Sequence, residues 1–562
     1  MDTNTHPEKS KQKNRFSRWG ILKGEKREFS PLSASQGSAL AKHPNKSKQN
    51  KSKSLIRSSS TVSSMTMISR MMGFVRDMVI AQIFGAAAAT DAFYVAFRIP
   101  NFLRQLFAEG AFSQAFVPVL SEYVEQKSLE DVRGFISRMS GTLGLVLMIV
   151  SILAFIATPL LVLVFAPGYL HDPYRYHLAN DMLRVTFPYL FFISLTAFAG
   201  AVQNTHGRFV VPAFTPVLLN LSMIAAAFLL TPYFEIPIEG LAYGVLIAGI
   251  VQFLFQLPFL WRMRLLALPK VAWQDPGVRR VLRLMLPALF GVSVGQLSLL
   301  IDTIFASFLQ AGSISWLYYS DRLTNLPLGI FGVAISTVIL PHLSKKVTHQ
   351  AEEDYSKTID WALRTILVIA IPSVIGFLCL GGPMIVTLFQ HGKFGIHDTY
   401  MTYRSLFAFA LGIPTFMMIK VLASGFYARQ NIRTPVKIGV IAMISNMVLN
   451  AILIWPLAHA GLALSTSLSS MLNAGLLFFT LRKRGLFLPQ SGWLGYLLKL
   501  LCANLVMGAT IFYLAGPLSQ WFVWNGSQRL LHLFPLIMLA LVLYFGLLRV
   551  MGLKLRHFRG AI

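Results

Sequence analysis

The chain has 562 residues, of which 55% are hydrophobic and 13% charged, and its formal net charge is +27. Soluble proteins carry about 25% charged residues, and the charged faces that a large soluble core would need are missing, so the composition excludes a soluble globular protein. The positive charge is divided between a terminal segment and short loops, with no continuous stripe that could track phosphates, which argues against nucleic-acid binding.

The first 58 residues differ in character from the rest of the chain. They contain 14 Lys/Arg and 4 Asp/Glu and are rich in Lys and Ser. They include no apolar stretch of the kind that forms the core of a signal peptide, so we expect a disordered, basic cytoplasmic tail. Such a tail either attracts anionic lipid, at about 1 kcal/mol per basic residue near the surface, or is passive.

Beyond this tail, apolar stretches recur along the chain. A membrane-spanning helix needs about 20 mostly apolar residues, and hydropathy places fourteen such stretches. They are residues 60–84, 90–118, 139–166, 181–203, 209–231, 240–261, 282–309, 315–342, 361–389, 401–427, 436–456, 461–481, 493–516 and 530–551. The sequence therefore predicts an all-α integral membrane protein with about fourteen transmembrane helices.

The basic residues of the predicted loops indicate an orientation. If the N-terminus is cytoplasmic, the loops on that side and the C-terminal segment hold 22 Lys/Arg, whereas the opposite loops hold 3. Cytoplasmic loops carry the excess of Lys and Arg, so we predict that both termini are cytoplasmic. One missed span would reverse every later loop, and the consistency therefore supports an even number of spans.

An internal repeat links predicted spans two and eight. Residues 111–121 and 334–344 both read A-x-S-x4-P-x-L-S, 223 residues apart, and an Arg-x-x-Asn motif precedes each of them, at residues 98–101 and 322–325. Both spans run in the same direction and six spans separate them, which predicts two six-helix lobes in a parallel pseudo-repeat. Repeats of this kind place a substrate cavity between the lobes.

The repeat predicts a division of the chain into four parts. The basic tail covers residues 1–58, the first lobe residues 59–264 and the second lobe residues 265–485. Residues 486–562 contain the two remaining helices and a cytoplasmic tail.

Nine charged residues lie in predicted spans one, two and eight, where each costs about 2.5–3.5 kcal/mol on insertion scales. They are Arg70, Arg76, Asp77, Asp91, Arg98, Arg104, Glu109, Asp321 and Arg322. The excess of arginine is what a cavity for an anionic, phosphate-bearing substrate requires. Alternatively, some of these residues form salt bridges that tie helices together, and this interpretation stays open above all for Arg76, Asp77 and Asp91.

The sequence contains neither a P-loop pattern nor a hydrolytic constellation. ATP is therefore not the direct driver, and we expect a transporter without enzymatic activity or an organic cofactor, driven by an ion gradient, the membrane potential or substrate flux. Cys379 and Cys502 each lie in an apolar stretch and are expected to be packing residues.

Oxygen-bearing residues of the second predicted lobe could bind a cation. Asp302 lies in span seven, Asn446 and Asn450 share one face of span eleven, and Thr466 lies four residues after Leu462 in span twelve. Hard cations prefer such oxygen ligands. Hydrogen bonding between helices is the alternative interpretation of the same residues.

Five stretches carry a resemblance to a known family. They read SSMTMISRMMGFVRD, TDAF, FAEGAFSQAFVP, WLYYSDR and GFYARQ, at residues 63–77, 90–93, 107–118, 316–322 and 425–430. In these stretches the chain resembles the MurJ (MviN) family of lipid II flippases, which belongs to the MOP exporter superfamily. The resemblance covers about residues 55–560 and implies two lobes facing a cavity, alternating access and a location in the bacterial inner membrane.

The resemblance also implies a substrate and a set of site residues. The substrate would be lipid II, an undecaprenyl pyrophosphate carrying a disaccharide-pentapeptide, with membrane lipids and cell-wall synthesis proteins as further partners in peptidoglycan biosynthesis. Spans thirteen and fourteen would form a groove for the polyprenyl tail. Residues matching the family's functional charges are Arg70, Arg76, Arg98, Arg104, Arg322, Asp91, Glu109 and Asp321, and those matching its sodium site are Asp302, Asn446, Asn450, the Leu462 carbonyl and Thr466. Asn450 stands where the sodium-binding pattern has a carboxylate.

Two other functions stay open. An exporter of another polyprenyl-pyrophosphate-linked sugar would use the same diphosphate chemistry. A non-transporting membrane scaffold for cell-wall synthesis would depend on surface loops and would leave the costly charges in the spans unexplained.

Overall fold

The computed structural model describes the backbone of residues 45–349 and 351–553 and, from Val62 onward, their side chains except those of residues 107–109, 290–296, 299 and 333. Most of the predicted basic tail and the last nine residues therefore lie outside the described residues. The chain forms two units, Met1–Ser59 and Ser60–Ile562, and the site described below lies within the second.

Helices account for the regular secondary structure of the described ranges. The α-helices are α1 (Asn45–Phe84), α2 (Ala88–Leu103), α3 (Ser113–Gln126), α4 (Leu129–Ile156), α5 (Thr158–Phe165), α6 (Pro173–Thr186), α7 (Tyr189–Thr205), α8 (Val210–Leu229), α9 (Glu239–Arg262), α10 (Pro276–Ser307), α11 (Ser313–Pro327), α12 (Val333–Thr348), α13 (Glu352–Leu388), α14 (Ile396–Ala410), α15 (Ile413–Ala428), α16 (Arg433–Lys483), α17 (Trp493–Ala515), α18 (Leu518–Val523) and α19 (Gly526–Val550). The all-α prediction is confirmed.

Every predicted span falls on these helices, but the number of spans differs by criterion. Ten helices in the described ranges are long and apolar enough to cross a membrane by length and composition. The helices that carry predicted spans one, two and seven do not meet that criterion, and the first two of them hold most of the charged residues singled out above. Predicted spans eleven and twelve are joined in α16. The count of fourteen stays a prediction.

The junction inside α16 has a local cause. Ala458 has φ 49° and ψ −129°, so the backbone leaves the helical conformation there. Pro456, two residues earlier, has no N–H to donate to the preceding turn. The chain therefore turns at this point, where the sequence predicts a loop between two spans.

The internal repeat recurs in the geometry of the backbone. A π-helical segment, Arg104–Phe112, lies between α2 and α3, and a second, Leu328–Gly332, lies between α11 and α12. Each segment begins three residues after the end of an Arg-x-x-Asn motif and precedes the repeated Pro-containing helix. π-Helical turns are rare and are often found at functional sites, so their recurrence supports both the repeat and its importance.

Packing between helices places the site. In the first half of the chain, α7, α8 and α9 pack against one another, and α2 packs against α6. In the second half, α14 and α15 pack against α16, while α17 and α19 pack against each other and against α13. Helix α10 packs against α3 and the first π segment as well as against α16, and thus joins the two halves.

Candidate functional site

Helices α1 and α11, from different halves of the chain, bring four charged side chains together. We call this set the arginine cluster, and it consists of Arg70, Arg76, Asp77 and Arg322. Asp77 is fully buried. Its Oδ1 accepts hydrogen bonds from Nη2 of Arg76 at 2.6 Å and from the Tyr318 hydroxyl at 3.0 Å, and its Oδ2 accepts from Nε of Arg322. One carboxylate therefore serves two guanidinium groups, as the salt-bridge interpretation expects.

Arg76 makes more hydrogen bonds within the described part of the protein than the other arginines of the cluster. Besides its contact with Asp77, it donates from Nη1 to Oδ1 of Asn220 at 3.2 Å and from Nη2 to the Tyr318 hydroxyl at 2.9 Å. Its side chain is 7% exposed. Arg76 thus ties α1 to α8 and α11, which agrees with the alternative interpretation of this residue as a link between helices.

Two glycines make room for the other two arginines. A Cβ added to Gly73 on α1 would lie 2.8 Å from Nη2 of Arg322, and a Cβ added to Gly329 in the second π segment would overlap Nη1 of Arg70. Each arginine therefore crosses to the opposite helix over a position without a side chain. Arg322 thus lies against α1 at Gly73, and Arg70 lies against the second π segment at Gly329.

The arginine cluster has more positive than negative charge. It contains three guanidinium groups and one carboxylate. The Arg322 side chain is 36% exposed, Arg70 is exposed, and no hydrogen bond or ion pair joins Arg70 to another residue in the described part of the chain. Exposed guanidinium groups with an excess of positive charge suit a phosphate-bearing ligand, because the planar fork of arginine matches phosphate oxygens.

Arg98 and Asp321 lie in a different place from the arginine cluster. Together with Asp302 and Thr466 they line a cavity of about 70 Å³, which we call the carboxylate cavity. Arg98 donates from Nη1 to Oγ1 of Thr303. This cavity contains two carboxylates and one guanidinium group, so its charge balance is the reverse of that in the cluster.

The predicted cation ligands converge beside this cavity. Asn450 donates from Nδ2 to Oδ1 of Asp302 at 2.8 Å and to Oδ1 of Asn446 at 3.3 Å. Oγ1 of Thr466 lies 3.4 Å from Nδ2 of Asn446 and 3.0 Å from the Leu462 carbonyl. We call these five residues the amide cluster.

The hydrogen bonds within the amide cluster use oxygens that a bound cation would need. The N–H groups of Asn450 point at two of the oxygens that a sodium ion would need, and the set has a single carboxylate. As placed, the residues therefore do not fit the ion, and the hydrogen bonds support the alternative interpretation. Among the side chains that the structure describes, no cluster of three or more His, Cys, Asp or Glu is suited to a metal.

Arg104 lies in a third location. It lines a pocket of about 350 Å³ among α7, α8 and α9, which also presents Gln252 and Gln256 and which we call the glutamine pocket. Nε and Nη2 of Arg104 donate to Oδ1 of Asn101 at 3.0 and 2.8 Å. The side chain of Glu109 lies outside the described residues, and its predicted role is untested.

Asp91 joins the two halves of the chain. It is fully buried and caps the start of α11, accepting hydrogen bonds from the N–H of Gly312 at 2.7 Å and from the N–H and hydroxyl of Ser315 at 2.9 and 2.6 Å. Nearby, Nη1 of Arg175 donates to the Leu309 carbonyl. These contacts hold the two halves together at the end that the predicted orientation places on the outer side of the membrane.

An apolar groove lies between α13 and the last two long helices, α17 and α19. Its volume is about 500 Å³, and its lining includes Val368, Phe377, Met507 and Tyr544. The groove begins beside Leu326 and Pro327, just before the second π segment. The groove therefore lies beside the second π segment, where Gly329 adjoins Arg70.

The sequence interpretation missed four residues of this site. Tyr318 and Asn220 bind the buried arginine, and Gly73 and Gly329 make room for the exposed ones. Asn220 is a single amide in an apolar stretch, and its polarity was the available signal. The two glycines give no signal in one sequence, since their role depends on side chains that approach from another helix.

Comparisons with known proteins show the family of the chain. The family described as "Lipid II flippase MurJ" matches residues 80–531. The chain is 46% identical over 517 residues to a "Probable lipid II flippase MurJ" of Vibrio cholerae, covering 91% of this chain and 98% of the relative. It is 42% identical over 514 residues to a "Lipid II flippase MurJ" of Burkholderia cenocepacia, covering 90% of this chain and 99% of the relative.

Solved structures show the same relationship. The chain is similar to "Lipid II flippase MurJ, inward closed conformation", with a TM-score of 0.73, 30% identity and coverage of 87% of this chain and 98% of that one. It also shares the fold of a MATE family transporter of the MOP superfamily, with a TM-score of 0.59 at 14% identity over 75% of this chain and 97% of that one. The chain therefore belongs to the MurJ family.

Proposed function

We propose that the chain moves lipid II from the inner to the outer leaflet of the bacterial inner membrane by alternating access. The observation that carries the proposal is the arginine cluster, where Arg322 of one half pairs with the buried Asp77 of the other half, and the exposed Arg70 reaches the second π segment at Gly329. The curated relatives are named for lipid II, whose diphosphate would bind the excess positive charge.

The apolar groove supports a lipid-linked substrate. The diphosphate of such a substrate needs a polar site, whereas its polyprenyl tail needs an apolar surface. The groove offers that surface between α13, α17 and α19 and begins near the second π segment. A ligand could therefore keep its tail in the groove while its headgroup occupies the cluster.

The contacts of Asp91 support an alternating-access mechanism. They hold the two halves together at the predicted outer end, so an outward-open state requires them to break. A ligand can drive that change only if it binds the two states with different affinity. The diphosphate would supply this difference if Arg70 and Arg322 approach it more closely in one state than in the other.

Because the amide cluster as placed does not fit sodium, we derive no step through that ion. The predicted orientation, with both termini in the cytoplasm, is supported by the distribution of Lys and Arg in the loops.

The proposal is tested by measuring lipid II at the outer leaflet of cells depleted of their own flippase. Rescue with the full chain should restore outward delivery, and an empty vector should leave lipid II at the inner leaflet. Unchanged inner-leaflet lipid II after expression of the chain would contradict the proposal. The same measurement with a different polyprenyl-pyrophosphate-linked sugar tests the alternative substrate. Because both lipids carry the diphosphate, a difference in their outward delivery would come from the sugar.

A further inference from the structure

The glutamine pocket has an unusual hydrogen-bonding balance. Gln203, Gln252 and Gln256 are each at most 2% exposed. Gln203 donates to Oε1 of Gln256, Gln256 donates from Nε2 to the Thr215 hydroxyl at 2.8 Å, and Gln252 donates from Nε2 to the Thr215 carbonyl at 3.0 Å. The amide N–H groups thus form a hydrogen-bond network that joins α7, α8 and α9.

Two acceptor oxygens of these glutamines have no donor in the described part of the chain. Gln252 lines the pocket, and its Oε1 is buried and accepts no hydrogen bond within the described residues. Oε1 of Gln203, which is not a lining residue, is likewise buried and without a donor there. The Pro212 carbonyl is a further acceptor without its helical donor, because Pro216, one turn later, has no N–H. An unpaired buried acceptor costs about 1–3 kcal/mol, so a ligand that supplies donors would bind there favourably.

The chemistry of the pocket selects one part of a headgroup. A diphosphate presents only acceptor oxygens and cannot pair with the Gln252 carbonyl oxygen. Sugar hydroxyls and the N–H of an acetylated amino sugar are donors. The lining contains no carboxylate among the residues that the structure describes, and its one charged group is Arg104, so a cationic ligand is not favoured either.

The position of the pocket relative to the arginine cluster suits a single ligand. Leu219 of α8 lines the pocket, and its neighbour Asn220 accepts a hydrogen bond from Arg76 of the cluster. The pocket volume of about 350 Å³ lies within the usual range for small-molecule sites, about 300–1,000 Å³. The predicted orientation places it in the cytoplasmic half of the membrane, where the substrate would enter.

We propose that the glutamine pocket is a subsite for the amino-sugar part of the headgroup, recognised through neutral hydrogen bonds. This inference rests on the proposed function and deepens it. The arginine cluster holds the diphosphate and gives affinity common to all polyprenyl diphosphates, whereas the glutamine pocket distinguishes a lipid that carries sugar from one that does not.

The experiment measures the binding of three lipids to the purified full chain by native mass spectrometry. The lipids are lipid II, the same lipid without its pentapeptide, and undecaprenyl pyrophosphate. We expect both sugar-bearing lipids to bind about tenfold more tightly than undecaprenyl pyrophosphate, as one or two added hydrogen bonds would give. Gln252→Leu should remove most of this preference and leave the affinity for undecaprenyl pyrophosphate unchanged.

A second variant and a control keep the result interpretable. Asn204 lines the pocket, is exposed and makes no side-chain hydrogen bond within the described residues, so Asn204→Ala should reduce the preference without affecting folding. Ser151→Ala, in an apolar recess beside α7, should behave as the parent chain.

Each contrary outcome has a distinct meaning. Equal binding of all three lipids by the parent chain would overturn the subsite and leave the proposed function standing. Binding of none would count against the proposed function itself. Tighter binding of lipid II alone, and not of the lipid without its pentapeptide, would overturn the assignment to sugar. An equal loss of affinity for all three lipids in both variants would also overturn it.

Discussion

The arginine cluster and the carboxylate cavity are built from the same kinds of residue with opposite charge balance. The cluster has three guanidinium groups and one carboxylate, and two of its arginines are exposed or half-exposed. The cavity has two carboxylates and one guanidinium group, in a volume of about 70 Å³. An anionic headgroup would be attracted to the first and repelled from the second.

The comparison shows that charge within a span is not sufficient to define a ligand site. Arg98 and Arg322 occupy matching positions of the internal repeat, yet Arg98 lies beside Asp302 and Asp321, while Arg322 shares Asp77 with a second arginine. The difference arises from the partners that other helices supply. Four substitutions or changes of condition can break or sharpen this contrast.

The largest effect is expected from removing the carboxylate of the cluster. In Asp77→Asn, two guanidinium groups lose their buried counter-charge, which costs about 3–5 kcal/mol for a buried pair. The apparent unfolding temperature of the purified chain should fall strongly. As a control, Asp181→Asn removes an exposed ion pair with Arg184, and pairs of this kind contribute about 0–1 kcal/mol. Equal unfolding temperatures for the two variants would contradict the central place of Asp77.

A smaller effect is expected at the contact between the halves. Asp91→Ala removes three hydrogen bonds to the first turn of α11 and leaves the buried N–H of Gly312 without a partner. We expect a loss of about 1–3 kcal/mol in the free energy of unfolding, measured by denaturant titration in detergent. Asp91→Asn keeps one acceptor oxygen and should lose less. A chain with Asp91→Ala that unfolds like the parent would show that this cap contributes nothing.

A still smaller effect is expected from crowding the exposed arginine. The Cβ of Gly329→Ala would displace the far end of the Arg70 side chain, which can move without unfolding the helix. We expect transport to slow by roughly two- to fivefold, about 0.5–1 kcal/mol, with an unchanged unfolding temperature. Gly439→Ala, where nothing lies within 4 Å of the added Cβ, should transport like the parent. Slowing by both variants to the same extent would remove the role given to Gly329.

The smallest effect is expected from exchange of the external cation. Because Asn450 already donates to the oxygens of the amide cluster, replacing sodium by choline should leave the transport rate of the parent chain unchanged. Asn450→Asp adds a second carboxylate and should make transport or thermal stability depend on sodium. Strong sodium dependence of the parent chain would contradict the hydrogen-bonded interpretation of this cluster.

Local patterns in the sequence predicted the fold and part of the site. The helical class follows from hydropathy and the internal repeat from spacing. Charge within apolar stretches singles out Arg70, Arg76 and Arg322, whose roles stay predictions. The break at Ala458 also agrees with the predicted boundary between two spans. These features depend on neighbours in the chain, which a single sequence displays.

The grouping of the charges could not be predicted in the same way. The sequence places Arg98, Asp321 and Arg104 with the other arginines, whereas the structure divides them between the carboxylate cavity and the glutamine pocket. Which of these residues share a cavity depends on how distant helices cross. For the same reason the sequence did not indicate Gly73 and Gly329, which leave room for arginine side chains from another part of the chain.

The most direct test of the account is leaflet-resolved accessibility of lipid II in depleted cells that express Arg70→Ala. Arg70 is exposed, and the structure describes no ion pair for it, so its removal should not affect the amount of folded protein. The account predicts lipid II retained at the inner leaflet with normal levels of the protein. Outward delivery at the rate of the parent chain would contradict it.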